Sequence, residues 1–90
     1  MSKKELSNLR NQINKLDEKL FSMIFKRMNI AKKIGKIKTH LNVEITNNKR
    51  EKELIKHIRS LPYNNLDQDE IESIYRLFFS ISKKRQDNYK

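Results

Sequence analysis

One apolar repeat occupies the first half of the chain and limits what the rest can build. Leu6, Leu9, Ile13, Leu16, Leu20, Met23, Arg27, Ile30, Ile34, Ile37 and Leu41 follow one another at alternating steps of three and four. That is the period of a long helix with a single buried seam. One of the seam positions is an arginine. At about 1.5 Å per residue the helix runs roughly 54 Å, whereas a compact chain of 90 residues has a radius of gyration of about 12 Å. A second copy of the chain is expected to cover the seam.

The residue types favour helices throughout. There is one Gly, one Pro and no run of alternating apolar residues, a pattern that points to an all-α protein rather than a sheet. The 36% hydrophobic content is thin for a monomeric core, so association would help stability. With no Cys, and with His40 and His57 apart from any ligand cluster, neither disulfides nor a metal centre is expected. No stretch approaches the roughly 20 apolar residues of a membrane span, and the lysine-bearing start has no signal-peptide core. A cytoplasmic protein is expected. The formal charge of +10 attracts polyanions in general, but its lysines are scattered from Lys3 to Lys90 rather than gathered into one patch.

Helix boundaries follow from capping signals. Ser2-Lys3-Lys4-Glu5 has capping-box spacing, so the first helix is predicted from residue 3 to 41, with Asn42 as the left-handed residue that ends it. Gly35 lies inside and costs about 1 kcal/mol relative to Ala; either another backbone approaches there or the place needs room. Val43 to Thr46 form a connector. Asn47 or Asn48 caps a second helix, residues 48–60, with Arg50 and Glu51 in its first turn, an apolar face of Leu54, Ile55 and Ile58, and Pro62 as its stop. A loop through Tyr63, Asn64 and Asn65 leads to Asp67-Gln68-Asp69-Glu70, a second capping-box start. The third helix, residues 68–87, carries Ile71, Ile74, Tyr75, Phe78, Ser82 and Gln86 on one side. The chain is expected to be one domain, and its initial Met and early cap suggest a free protein rather than a piece of a fusion.

Polar groups interrupt these apolar stripes. Arg27 sits on the seam, and Lys38, eleven residues on, lies about 20° away around the same axis and about 16 Å along it. Ser82 and Gln86 continue the line of Tyr75 and Phe78. Arg50 and Glu51 occupy a helix N-terminus, where backbone amides favour anions. Taken singly, each has a plain explanation. Arg27 and Lys38 can snorkel, Ser82 can bond back to its own helix, Gln86 can face solvent, and Arg50 and Glu51 can be surface charge. Tyr75, Phe78 and Phe79 read as core rather than a base-stacking platform. Together they place three cations and two neutral polar groups on or beside the buried faces of three helices, with Glu51 the only carboxylate. Unpaired buried cations are costly, and an anionic ligand would resolve the deficit.

The runs Leu9 to Leu20 (LRNQINKLDEKL), Lys26 to Lys38 (KRMNIAKKIGKIK), Lys49-Arg50-Glu51 and Ser82-Lys83-Lys84-Arg85-Gln86, in that order and spacing, resemble the all-helical chorismate mutases, the AroQ class. The resemblance implies an intertwined homodimer of three-helix chains, without metal or cofactor, that rearranges chorismate to prephenate in phenylalanine and tyrosine biosynthesis. It further implies that Arg10 of the neighbouring chain binds one substrate carboxylate and Arg27 the other. Lys38 and Gln86 would flank the ether oxygen, and Arg50, Glu51 and Ser82 would complete the pocket, Glu51 by receiving the substrate hydroxyl. Helix geometry agrees on one point: Arg10 is about 25 Å from Arg27 along the helix, too far for both to hold one small ligand from the same chain, and an antiparallel, two-fold-related copy could supply it. Glu44 and Asn47 stand where the family commonly has Pro and Asp. Asn caps as well as Asp, so a substrate contact at Asn47 through its backbone amide would survive the change.

Three other readings compete. Isochorismate pyruvate lyase is similar in scaffold and binds a near-identical dianion with most of the same polar set. A basic helical module for nucleic acid would show strongly salt-dependent binding but does not explain Ser82 and Gln86. A purely structural coiled coil would tolerate Arg27→Leu.

Overall fold

A computed structural model of the chain describes residues 2–62 and 64–87; Tyr63, assigned to a loop by its sequence, lies outside the described residues. Helix α1 spans Lys3–Leu41, α2 Asn48–Arg59 and α3 Gln68–Asp87, and no strand occurs among the described residues. The caps set these limits. The Ser2 hydroxyl accepts the Glu5 N–H at 3.1 Å, and Asn42 turns left-handed at φ 57° so that its N–H reaches back to Lys38 and Thr39. Asn47, rather than Asn48, caps α2 by accepting the Arg50 N–H at 3.0 Å. The box at α3 is reciprocal: Asp67 accepts from the Glu70 N–H at 2.8 Å, and Glu70 from the Asp67 N–H at 3.0 Å. Helix α2 ends one residue before its expected limit, because Ser60 forms the C-cap.

Helix α3 packs on both α1 and α2. Against α2 it meets the half-buried Leu54, Ile55 and Ile58, and Arg59 spans the gap to Glu72 at 3.5 Å. Against α1 it meets a stripe whose buried members are Met28, Ala31 and Gly35, with Ile24, Arg27 and Lys38 half-buried at its edges. This is not the long apolar seam. All ten apolar seam residues remain exposed, from 42% for Ile34 to 66% for Leu41. Arg27 therefore marks the border between two faces: one used by α3, and one that the chain leaves uncovered.

The proportions follow from this. The molecule measures 58 × 24 × 16 Å with a radius of gyration of 17.0 Å, well above the roughly 12 Å of a compact chain of this length. Residues 3–23 of α1 are exposed on every side. Helices in proteins draw most of their stability from packing an apolar face, and each Leu or Ile here would contribute about 1.5–3 kcal/mol if fully covered. Only Met28, Ala31 and Phe79 form a buried apolar core among the described residues. No described helix is long and apolar enough to cross a membrane.

Candidate active site

Gly35 brings the two halves of the site together. A Cβ built there would lie 2.4 Å from the Cα of Gln86 and 2.6 Å from its carbonyl oxygen, so the last turns of α3 rest on the bare backbone of α1. Of the two explanations its sequence offers for a mid-helix glycine, close backbone approach is the one realised. Ser82 and Gln86, four residues apart, stack on the same face of α3 and are carried into this contact, where they are 7% and 8% exposed.

Ser82 serves Arg27. Its Oγ accepts a hydrogen bond from Arg27 Nη1 at 2.7 Å and directs its own proton toward Met28 Sδ at 3.7 Å. The guanidinium carbon also lies 5.4 Å from the centroid of the Phe78 ring, within cation–π range. Arg27 is thus held by a hydroxyl and an aromatic ring, neither of which neutralises it. Its charge remains available to an anion.

Gln86 serves Lys38. The Lys38 ammonium donates to the Ile45 carbonyl at 2.7 Å and to Gln86 Oε1 at 3.0 Å. Because the amide oxygen accepts from Lys38, the amide nitrogen is left as the donor end. Burial pushes the Lys38 ammonium below its ordinary pKa of 10.5, and the negative charge of Glu51 partly restores it. An ammonium has three donors, and two are used within the chain.

Helix α2 closes the third side. Asn47 and Arg50 stand at its first turn, joined through the cap, while the exposed Arg50 side chain is 4.0 Å from Glu53. In the same first turn, Glu51 Oε2 pairs with Lys83 Nζ at 3.1 Å. The groove between the helices has a volume of about 380 Å³ and is lined by Arg27, Lys38, Asn47, Arg50, Glu51, Ser82 and Gln86, together with Ile30, Ile34, Ile45, Leu54, Phe79 and Lys83. Four cations face one carboxylate there. This suits a small anion with an apolar body.

Seven of the eight residues singled out from the sequence line this one groove; Arg10, seventeen positions before Arg27, does not. At about 25 Å along a straight helix it cannot do so within one chain. Three participants escaped notice in the sequence. Lys83 is one position off the polar stripe of α3, and the Ile45 carbonyl belongs to the connector. Phe78 was assigned only to packing, yet it also supports Arg27. Nothing in the sequence pattern pairs Lys83 with Glu51, because the polar set already holds more cations than carboxylates.

The model of the type II chorismate mutases matches residues 9–87. The chain is similar to the chorismate mutase of Methanocaldococcus jannaschii, with 29% identity over 86 residues that cover 94% of this chain and 87% of that protein. It is also similar to the bifunctional chorismate mutase/prephenate dehydratase of Aquifex aeolicus, with 37% identity over 57 residues, 63% of this chain and 16% of that larger protein.

Proposed function

The chain belongs to the type II chorismate mutase family, and from that premise we propose that the groove between its helices converts chorismate to prephenate. The reaction is unimolecular: one C–O bond breaks as one C–C bond forms, and no nucleophile or general base is needed. The groove can accelerate it in two ways, by holding the compact diaxial conformer and by stabilising negative charge that grows on the ether oxygen. Arg27, braced by Ser82 and Phe78, binds one carboxylate. Arg50 adds positive charge, Asn47 contributes at the α2 N-terminus, and Glu51 accepts the substrate hydroxyl.

The observation that carries this reading is the Lys38–Gln86 pair. A buried amide and a partly buried ammonium lie 3.0 Å apart, each with a donor left over, beside an arginine held by a hydroxyl and an aromatic ring and by no carboxylate among the described residues. Two converging donors are what a developing oxyanion requires, and the loss of one such donor costs about 10²–10³ in rate. Neither pairing nor structural packing gives Lys38 a reason to be partly desolvated next to a glutamine.

A homodimer follows from the same reading. The ten exposed apolar residues of the α1 seam suit an antiparallel second copy, and such a copy would deliver its Arg10 to the substrate carboxylate left unbound by Arg27. The aromatic residues give no support to a nucleic-acid platform, because Tyr75 and Phe78 are half-buried and Phe79 is buried.

The test is product analysis. Incubated with chorismate, the protein should yield prephenate, and incubated with isochorismate it should yield no salicylate and pyruvate. Lyase products from isochorismate without prephenate from chorismate would overturn the assignment.

A further inference from the structure

Lys83 is an unassigned cation in the groove. It lies on α3 between Ser82 and Gln86 and contacts Glu51 Oε2 at 3.1 Å, across the interface with α3, the only helix that α2 packs against among the described residues. The pair is not a loose surface contact: the side chains are 36% and 23% exposed, and both line the groove. Glu51 Oε1 has no partner among the described residues. A carboxylate side chain reaching from the first turn of a short helix has several rotamers, and it is a useful acceptor only in the one that faces the ligand.

We propose that Lys83 is a positioning residue, whose ammonium fixes one oxygen of Glu51 so that the other meets the substrate hydroxyl. The role rests on the mutase reading and deepens it. Lys83 acts through Glu51 and not on the reacting atoms. Its charge also balances the one carboxylate that would otherwise repel an incoming dianion, which leaves Arg27, Lys38 and Arg50 to receive it.

Substitutions at Lys83 separate this role from two others. Were Lys83 a direct ligand of a substrate carboxylate, its removal would weaken turnover whether or not Glu51 is present. Were it only a tie between α2 and α3, its removal would lower the melting temperature and leave turnover per folded enzyme unchanged. Lys83→Met keeps the alkyl stem and deletes the charge. Lys83→Arg keeps the charge and can re-form the pair.

The experiment is a double-mutant cycle on the full chain, with kcat/KM for chorismate measured for wild type, K83M, E51Q and K83M/E51Q, and circular dichroism used to match helix content. The pair is partly exposed, so K83M is expected to lower kcat/KM about fivefold, and K83R to recover most of the loss. In the E51Q background K83M should have no further effect. An analogue of chorismate without the ring hydroxyl should be turned over equally by wild type and K83M. Wild-type turnover in K83M, or a K83M loss that persists undiminished beside E51Q, would overturn the positioning role alone. A wild-type protein inert toward chorismate would overturn the mutase reading and this role with it.

Discussion

Replacing Gly35 with Ala tests how closely the site depends on one backbone contact. The added Cβ would stand 2.4 Å from Gln86 Cα, 2.6 Å from its carbonyl oxygen and 2.9 Å from its carbonyl carbon, whereas ordinary contact begins near 3.4 Å. The opposing atoms are main chain, so no rotamer can relieve the overlap. Helix α3 must retreat by about 1 Å at Gln86. That stretches the 3.0 Å bond from Lys38 to Gln86 Oε1 to about 4 Å, beyond hydrogen-bond reach. A displacement of this size at a reacting centre lowers turnover by about a hundredfold. Stability should change much less, since Ala gains about 1 kcal/mol of helix propensity over Gly against an overpacking cost of about 1–3 kcal/mol. A net loss near 1 kcal/mol lowers the melting temperature by roughly 4–8 °C in a domain of this size. Steady-state kcat for chorismate and a thermal melt on the same sample measure both effects. Normal turnover with an unchanged or higher melting temperature would refute the inference that α3 rests on Gly35.

Four other perturbations probe the separate parts. Lys38→Ala should reduce kcat by about a hundredfold or more, and near-normal turnover would remove Lys38 from the mechanism. Arg27→Leu should abolish measurable substrate binding while leaving the melting temperature equal or higher; a purely structural coiled coil shares the stability outcome but has no binding to lose, so a titration of chorismate followed by calorimetry distinguishes them. Ser82→Ala frees Arg27 from its 2.7 Å hydrogen bond and should lower kcat/KM roughly tenfold without loss of helicity by circular dichroism. The pH dependence follows from Lys38: a base whose pKa is lowered loses its proton at a pH below its ordinary 10.5, so kcat/KM should fall on the alkaline side below that value and stay flat between pH 6 and 8, where Gln86 does not titrate. A steep loss between pH 6 and 8 in the measured profile would contradict it.

The sequence made the helices and most of the groove legible for physical reasons. Ser2, Asn42, Asn47 and the Asp67–Glu70 box are local signals, fixed by backbone amides a few residues away. Arg27, Lys38, Ser82 and Gln86 stood out because each breaks an apolar stripe. What was not legible depends on packing between helices. The seam pattern runs through Arg27, but the face that α3 uses is centred on Met28, Ala31 and Gly35, where the small size of Ala31 and Gly35 rather than hydrophobicity permits close approach. Lys83 was hidden because it sits one residue off the stripe and finds Glu51 only when α2 docks. Phe78 lies where the pattern expects core, and its second task beneath a guanidinium leaves no mark on periodicity.

The central claim is that the groove is a catalytic site completed by Arg10 of a second copy. Subunit complementation measures this directly, with Arg10→Ala and Arg27→Ala proteins assayed separately and after unfolding and refolding together. In a mixed dimer one site keeps both arginines and the other loses both. If the copies associate at random, half of the dimers are mixed, and activity should return to about one quarter of the wild-type value from two inactive parents. No recovery in a mixture shown by sizing to contain mixed dimers, or full activity in Arg10→Ala alone, would contradict the shared site.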